Sequence, residues 1–358
     1  MDGQVRAGII GCGSIAKTHA AALAALPEAT FAACCDVDEG RARALADQYG
    51  APHVFTDVQA LLTSGTVDMV TICTPHPSHA GLVIAAAEAG IHVLCEKPLT
   101  IDLSEADRMV EAAERAGIKF GGIFQRRFWP AAQRVHEAVE AGDLGRMTLA
   151  ECQVRIWRPR EYFDRDEWRG KWTTEGGGAL MNQAVHAIDL FQWYMGPVKE
   201  IFGRYATLLH GDYIDVEDTV VATVVFENGA LGIIEAATTV NPNMGFKVAV
   251  HGTKGGLLSL YEQPEGVAGV IDLNTIAGQE EHTDVYAEGR ESVPGFPEFH
   301  RLQIADFVRA VRDDRQPAVT GAEARKALEI ILAIYHSSRT GLPVRLPLDR
   351  AALVSAQP

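Results

Sequence analysis

Six residues, Gly11-Cys12-Gly13-Ser14-Ile15-Ala16, restrict this chain more than any others. They follow Val5–Ile10, a run with the length and apolar character of a buried strand. After them an alanine-rich stretch over 14–26 reads as a helix. In a strand–turn–helix of this kind Gly11 permits the tight turn, and Gly13 lets backbone approach a pyrophosphate. Ala16 allows close helix–strand packing, and Ser14 and Ile15 sit where helix-start amides face the phosphates.

The same alternation continues. A second strand over 30–35 ends in Asp36, whose carboxylate suits the two hydroxyls of an adenosine ribose and repels a 2′-phosphate. Val37 follows where an NADP-binding chain would often offer Arg, so NAD is expected over NADP. Asp36 could instead simply cap a helix over 38–49, but that leaves its spacing from the glycines unexplained. A buried strand over 68–74 runs into Thr74-Pro75-His76-Pro77-Ser78-His79, a stiff loop placed to lie along the cofactor. Thr74, Pro75, His76 and His79 are its candidate contacts, although His79 also reads as a structural residue at the start of the helix over 80–89.

Val93-Leu94-Cys95 is the next short buried strand, and it stops in Glu96-Lys97-Pro98. Ligands of an open parallel sheet sit beyond the carboxyl ends of its strands, which directs Lys97 towards a cleft. A helix over 104–116 and a strand over 119–124 lead to Gln125, a further cofactor candidate. These elements predict a doubly wound parallel α/β domain over residues 1–125.

From Met147 the pattern changes. A long strand is expected over 147–157, then a polar and aromatic loop, Gly176-Gly177-Gly178, and a helix over 179–195. Strands follow at 198–209, 219–226, 230–239, 245–251 and 256–260, with Asn228-Gly229 as a hairpin turn. The β-branched, weakly alternating run over 218–239 suggests a strand pair covered on both faces. Helices over 299–312 and 322–340 end the chain. Residues 126–358 are therefore expected to form an α+β domain with a large, mostly antiparallel sheet, its last segment placed to pack back on the first domain. One sheet face would pack on the domain's own helices and the other on a second copy.

Asn182 and His186 are four apart on the helix over 179–195 and so share a face, with Asp189 three further on. The triple glycine would let the preceding loop press closely on a neighbour, such as a nicotinamide ring. His186, one turn from a second polar group and following a triple glycine, is the candidate functional histidine, and an imidazole, ordinarily titrating near about 6.5, can serve as a general base.

The net charge of −15 argues against a nucleic acid or an anionic membrane surface as partner. A strand begins four residues after Met1, which leaves no room for a signal peptide, and no apolar run is long enough to span a bilayer. The six cysteines show no metal-ligand spacing and fall mostly in apparent buried strands, as expected of a reduced, cytoplasmic protein. No metal is expected.

The glycine turn, Thr74-Pro75, Glu96-Lys97-Pro98 and the Gly-Gly-Gly…Asn182…His186-Ala-Ile-Asp189 helix together resemble the glucose–fructose oxidoreductase / inositol dehydrogenase / MocA family, over nearly the whole chain. The resemblance implies an NAD(P)-binding Rossmann domain, a C-terminal sheet domain, homodimers or homotetramers, and hydride transfer at a secondary alcohol of a sugar, sugar derivative or cyclitol. It also implies that Lys97 hydrogen-bonds the reacting hydroxyl and that His186 is catalytic. Many relatives carry Asp where this chain has Asn182; Asn can orient a hydroxyl but cannot take its proton. Glu96 would anchor Lys97 or the nicotinamide ribose. Arg127, Arg155, Trp157, Arg158, Tyr162 and Lys171 are the candidates for a sugar-binding pocket, with Asn182 and His186, since flat rings suit sugar faces and long donors suit hydroxyls. Two other readings remain: an enzyme that cleaves glycosides by transient oxidation without net NADH release, and a non-catalytic NAD sensor.

Overall fold

The structure, a computed structural model, describes residues 3–263, 265–284 and 295–349. The chain divides into two compact units, residues 1–125 with 297–325, and residues 126–296 with 326–358.

The first unit holds strands β1 (Val5–Ile10), β2 (Ala29–Cys35), β3 (His53–Phe55), β4 (Met69–Ile72), β5 (His92–Cys95) and β6 (Phe120–Gly122). All pair in parallel in the order β3-β2-β1-β4-β5-β6, so the direction of winding reverses between β1 and β4. Helices α1 (Ala16–Ala25), α2 (Glu39–Tyr49), α3 (Val58–Thr63), α4 (His79–Glu88) and α5 (Leu103–Ala116) connect them. The strands are apolar on both faces, as sheets covered by helices on both sides require. Helix boundaries follow local chemistry. Asp38 and Asp102 cap α2 and α5 through their side chains, and Gly50 and Gly117 end them in left-handed conformation.

In the second unit α6 (Pro130–Glu140), a helix not among the expected elements, precedes β7 (Met147–Arg155). After α7 (Arg160–Phe163) come a π-helical stretch, Ala179–Ala184, and α8 (Val185–Met195). The remaining strands are β8 (Val198–Ala206), β9 (Thr219–Phe226), β10 (Leu231–Ala237), β11 (Gly245–Gly252), β12 (Leu257–Glu262), β13 (Val270–Asn274), β14 (Glu281–His282) and β15 (Val344–Arg345). They form a nine-stranded sheet, order β14-β13-β12-β11-β7-β10-β9-β8-β15, antiparallel except where β7 meets β10.

Helix α8 lies on one face of this sheet. A Cβ at Gly232 would meet Phe191 Cζ at 2.6 Å, so glycine there lets the helix come close. Leu149, Phe202, Val221, Leu231 and Ile233 point from the other face, each 37–56% exposed. The expectation that residues 218–239 are covered on both faces is thus corrected for the chain alone. Both faces are apolar, but only one is buried. The expected strand over 198–209 stops at Ala206, because Asp218 takes the amides of Leu208, Leu209 and His210 at 2.8–2.9 Å and turns the backbone.

Helices α9 (Phe296–Arg312) and α10 (Gly321–Thr340) lie between β14 and β15 in the chain. Residues 297–325 belong to the first unit. Ile304, Phe307 and Val308 join its core, while Gln303 accepts from Phe124 N at 3.0 Å and donates to Gly122 O at 2.8 Å. Arg325 is ion-paired with Asp107.

Candidate active site

In the first unit the expected residues gather at the carboxyl ends of the parallel strands. Gly11 adopts φ +89°, and a Cβ there would stand 2.7 Å from Thr74 Cγ2 and 2.8 Å from Thr74 N. The turn after β1 and the loop after β4 therefore touch through a residue that must be glycine. At Gly13 nothing lies within 4 Å of where a Cβ would stand, which is the open approach that a pyrophosphate needs. Asp36 holds the arrangement from β2: its Oδ2 accepts from Cys12 N at 2.7 Å and its Oδ1 from Asp38 N at 2.9 Å. Beside it Val37 is 94% exposed. Residues of this kind fit a dinucleotide, with Gly13, Ser14 and Ile15 on the phosphates and Asp36 on the ribose.

His79 is fully buried. Its Nδ1 faces Pro98 O at 3.0 Å and Leu99 O at 3.2 Å, and its Nε2 faces Thr74 O at 2.8 Å. It ties the loop after β4 to the loop after β5, and burial lowers its titration. His76 and Gln125 are also buried, whereas Thr74 is half-buried and Pro75 exposed.

Glu96 and Lys97 end β5. The Glu96 carboxylate is buried; Oε2 accepts from Lys97 N at 3.1 Å, and Oε1 lies 2.9 Å from His19 Nε2. His300 Nε2 stands 3.8 Å from the same oxygen. Neither histidine was a sequence candidate. His19 lies on the core face of α1, eight residues after Gly11, and His300 arrives from α9. A polar side chain on the buried face of an otherwise alanine-rich helix was the one available signal. The ligand atoms of these three lie within 4.8 Å of one another, but the 2.9 Å separation is that of a hydrogen bond.

In the second unit a buried carboxylate organises the glycine-rich loop. Glu217 accepts from Gly178 N at 2.7 Å, from Leu180 N at 2.9 Å and from the Tyr335 hydroxyl at 2.9 Å. Burial pushes its carboxyl up to about 7 against these three donors. A Cβ on Gly177 would overlap the Tyr335 hydroxyl, and one on Gly178 the Glu217 carbonyl. Two of the three glycines are thus required by close approach to protein. The expected single helix over 179–195 is corrected as well. Residues 179–184 are a wider π turn, so Asn182 and His186 do not follow simple α-helical spacing.

Asn182 Nδ2 donates to Glu175 Oε1 at 2.5 Å and to the Tyr162 hydroxyl at 3.2 Å. Tyr162 also receives Gln183 Nε2 and Arg169, each at 2.6 Å, and Arg158 lies over its ring. Arg158 donates to Gln183 Oε1 at 2.7 Å and to Glu265 Oε1 at 2.5 Å. The structure therefore brings Asn182, Tyr162 and Arg158 into one network, to which it adds Glu175 and Gln183. His186 is buried in the first turn of α8.

Three substrate candidates fall elsewhere. Arg127 is a buried partner of Asp189, at 2.8 and 2.6 Å, and its guanidinium is spent there. Arg155 pairs with Glu235 on the open sheet face, opposite α8, because strand alternation sends odd-numbered residues of β7 that way. Lys171 is exposed. Trp157 is half-buried just beyond β7, its ring centroid 5.7 Å from that of His210.

A Rossmann domain with these features, joined to a sheet domain, defines a nicotinamide-dependent oxidoreductase. A family model described as an oxidoreductase family with an NAD-binding Rossmann fold matches residues 5–122, and a GFO/IDH/MocA C-terminal domain matches residues 132–258. The chain belongs to the Gfo/Idh/MocA family of oxidoreductases. It is 33% identical to the WlbA dehydrogenase from Bordetella pertussis, solved with NADH and UDP-GlcNAcA, with a TM-score of 0.87 over 98% of this chain and 99% of that one. It is 29% identical to myo-inositol 2-dehydrogenase of Thermotoga maritima, over 96% of this chain and 98% of the relative. It is 26% identical to the NAD-dependent scyllo-inositol 2-dehydrogenase of Bacillus subtilis, over 98% and 99%.

Proposed function

We propose that this protein interconverts a secondary alcohol and a ketone on a sugar, sugar derivative or cyclitol, with NAD as its cofactor. The observation that carries the reading is the network joining Asn182, Tyr162, Gln183 and Arg158, a set of hydroxyl-binding groups rooted beside His186. The inositol dehydrogenases among the relatives support the substrate class.

Oxidation removes a hydride from carbon and a proton from oxygen; bound NAD supplies the hydride acceptor. The protein handles the proton. His186 accepts it from the hydroxyl, and the Lys97 ammonium stabilises the charge that develops on that oxygen. Asn182 orients a neighbouring hydroxyl. Gly13, Ser14, Ile15 and Asp36 hold the dinucleotide. The open sheet face, with its five exposed apolar side chains, takes a second copy to give a homodimer or homotetramer. Six free, buried cysteines suit a reducing, cytoplasmic setting.

The test is nicotinamide reduction by the purified protein with NAD, or separately NADP, across monosaccharides, anhydrosugars, glycosides and inositols. NADH should accumulate with one class, and Lys97→Ala and His186→Ala should each lose turnover while still binding NAD. Full turnover in both variants would overturn the assignment. Cleavage of a glycoside that requires NAD, with no NADH accumulating, would replace it with transient redox.

A further inference from the structure

A glutamate next to a lysine at the end of a strand would ordinarily compete for that lysine's charge. Here both oxygens of the Glu96 carboxylate take other donors. It is 7% exposed, its Oε1 takes His19 Nε2 at 2.9 Å, and His300 Nε2 stands at 3.8 Å. His19 is fully buried, His300 is 1% exposed, and their ring centroids are 5.9 Å apart. They come from α1 and α9, stand 281 positions apart in sequence, and meet at the carboxyl end of β5. Among the described residues this is the one group of three buried ligating side chains drawn so close together. The reaction outlined above uses neither histidine.

We infer that His19 and His300 are positioning residues that take up the Glu96 carboxylate, so that it does not draw the Lys97 ammonium away from the reacting hydroxyl. The inference rests on the reading of Lys97 in the proposed reaction and assigns new roles to two histidines. Three features support it. The Glu96 side chain also receives its neighbour's peptide N–H, at Lys97 N, which fixes the backbone from which Lys97 projects. The loop is clamped on its far side by His79 through Pro98 and Leu99, which leaves it little freedom to readjust. The electrostatics agree. Burial alone would raise the Glu96 carboxyl, yet His19, His300 and Lys97 hold it down to about 2; burial alone would lower His19, yet the neighbouring Cys73 sulfur and Glu96 raise it.

The experiment reads Lys97 directly and needs no substrate. The full chain, saturated with NAD at pH about 8, is trace-labelled with acetic anhydride, and each lysine's rate is followed by mass spectrometry. Lys119 and Lys254 serve as internal standards. In His19→Ala the Glu96 carboxylate loses its nearest donor and pairs with Lys97, so Lys97 labelling should slow by about tenfold, the equivalent of one pKa unit. Adding Glu96→Gln to the same chain should restore the rate, which general loosening of the fold would not do. His300→Ala, the more distant partner, should slow Lys97 less and in the same direction, and it stands in should His19→Ala fail to fold.

Unchanged Lys97 labelling in the folded histidine variants, or slow labelling that Glu96→Gln does not relieve, would overturn the inference. So would one equivalent of bound zinc in the native protein, since the histidines would then serve a metal. Full turnover in Lys97→Ala would instead overturn the reading of the reaction and leave the labelling result standing.

Discussion

Asn182 and Glu175 share a hydrogen bond of 2.5 Å, from the amide nitrogen of one to the carboxylate of the other. The carboxylate is 1% exposed, and its second oxygen accepts from Gly170 N at 2.5 Å. Asn182 thus has a carboxylate neighbour from seven residues earlier in the chain. The bond also commits Nδ2 of the amide to protein.

Replacing Asn182 by Asp should therefore harm this protein. Asn182→Asp sets two carboxylates against each other, and like charges at this distance cannot both ionise. Turnover should fall by roughly 10- to 100-fold, as for other small misplacements of reacting groups. Exchanging the pair, Asn182→Asp with Glu175→Gln, should recover most of it. Steady-state kinetics of the three variants give the answer, and equal activity in Asn182→Asp would show that the pairing is unimportant.

The Arg127–Asp189 pair is expected to be structural. Both groups are nearly inaccessible and doubly hydrogen-bonded, and Arg127 lies 5.1 Å from the Trp193 ring centroid. Arg127→Met leaves a buried, unbalanced carboxylate and should cost about 3–5 kcal/mol in urea unfolding. Arg127→Met with Asp189→Leu should cost much less, because no charge is left behind. Normal stability in the single variant, with weakened substrate binding, would return Arg127 to the substrate pocket.

Stability should depend on pH through His19 and Glu96. His19 is raised above 6.5, so its contribution is complete below that pH and is lost as pH rises through its folded-state value. Glu96 falls from 4.5 to about 2, so its contribution is complete above 4.5 and is lost as pH falls towards about 2. The difference in melting temperature between the native chain and His19→Ala should be widest between pH 4.5 and 6.5 and narrow on both sides. A difference that stays constant from pH 4 to 9 would contradict the pairing.

Cofactor choice should turn on Asp36 and Val37. Asp36 bonds the Cys12 and Asp38 amides in addition to the ribose role proposed for it, so Asp36→Ala should weaken both cofactors by loosening the turn. Asp36→Ser with Val37→Arg keeps a short hydrogen-bonding side chain, removes the repelling charge and adds a guanidinium for the 2′-phosphate. It should shift the NADP/NAD preference by about tenfold or more, about 1.4 kcal/mol. Titration of both cofactors with the native and altered chains measures it.

The sequence by itself determined the Rossmann half. Its glycine turn, Asp36 and the ends of β4 and β5 are local features whose chemistry depends on backbone shape and strand polarity, both written in short-range pattern. It also placed the second domain's sheet and the Asn182–His186 segment. The tertiary structure decided what each of those groups faces. Sequence spacing could not show that residues 179–184 widen into a π turn, because that turn is held by Glu217, just before β9, and by Tyr335 on α10. Nor could it show that Arg155 points to the open sheet face or that Arg127 is committed to Asp189, since a long cationic side chain reads the same whether it meets a ligand or a carboxylate. His19, His300 and Glu175 carry no motif. Their roles come from buried charge finding its nearest partner, and which partner is nearest is settled only when the chain is folded.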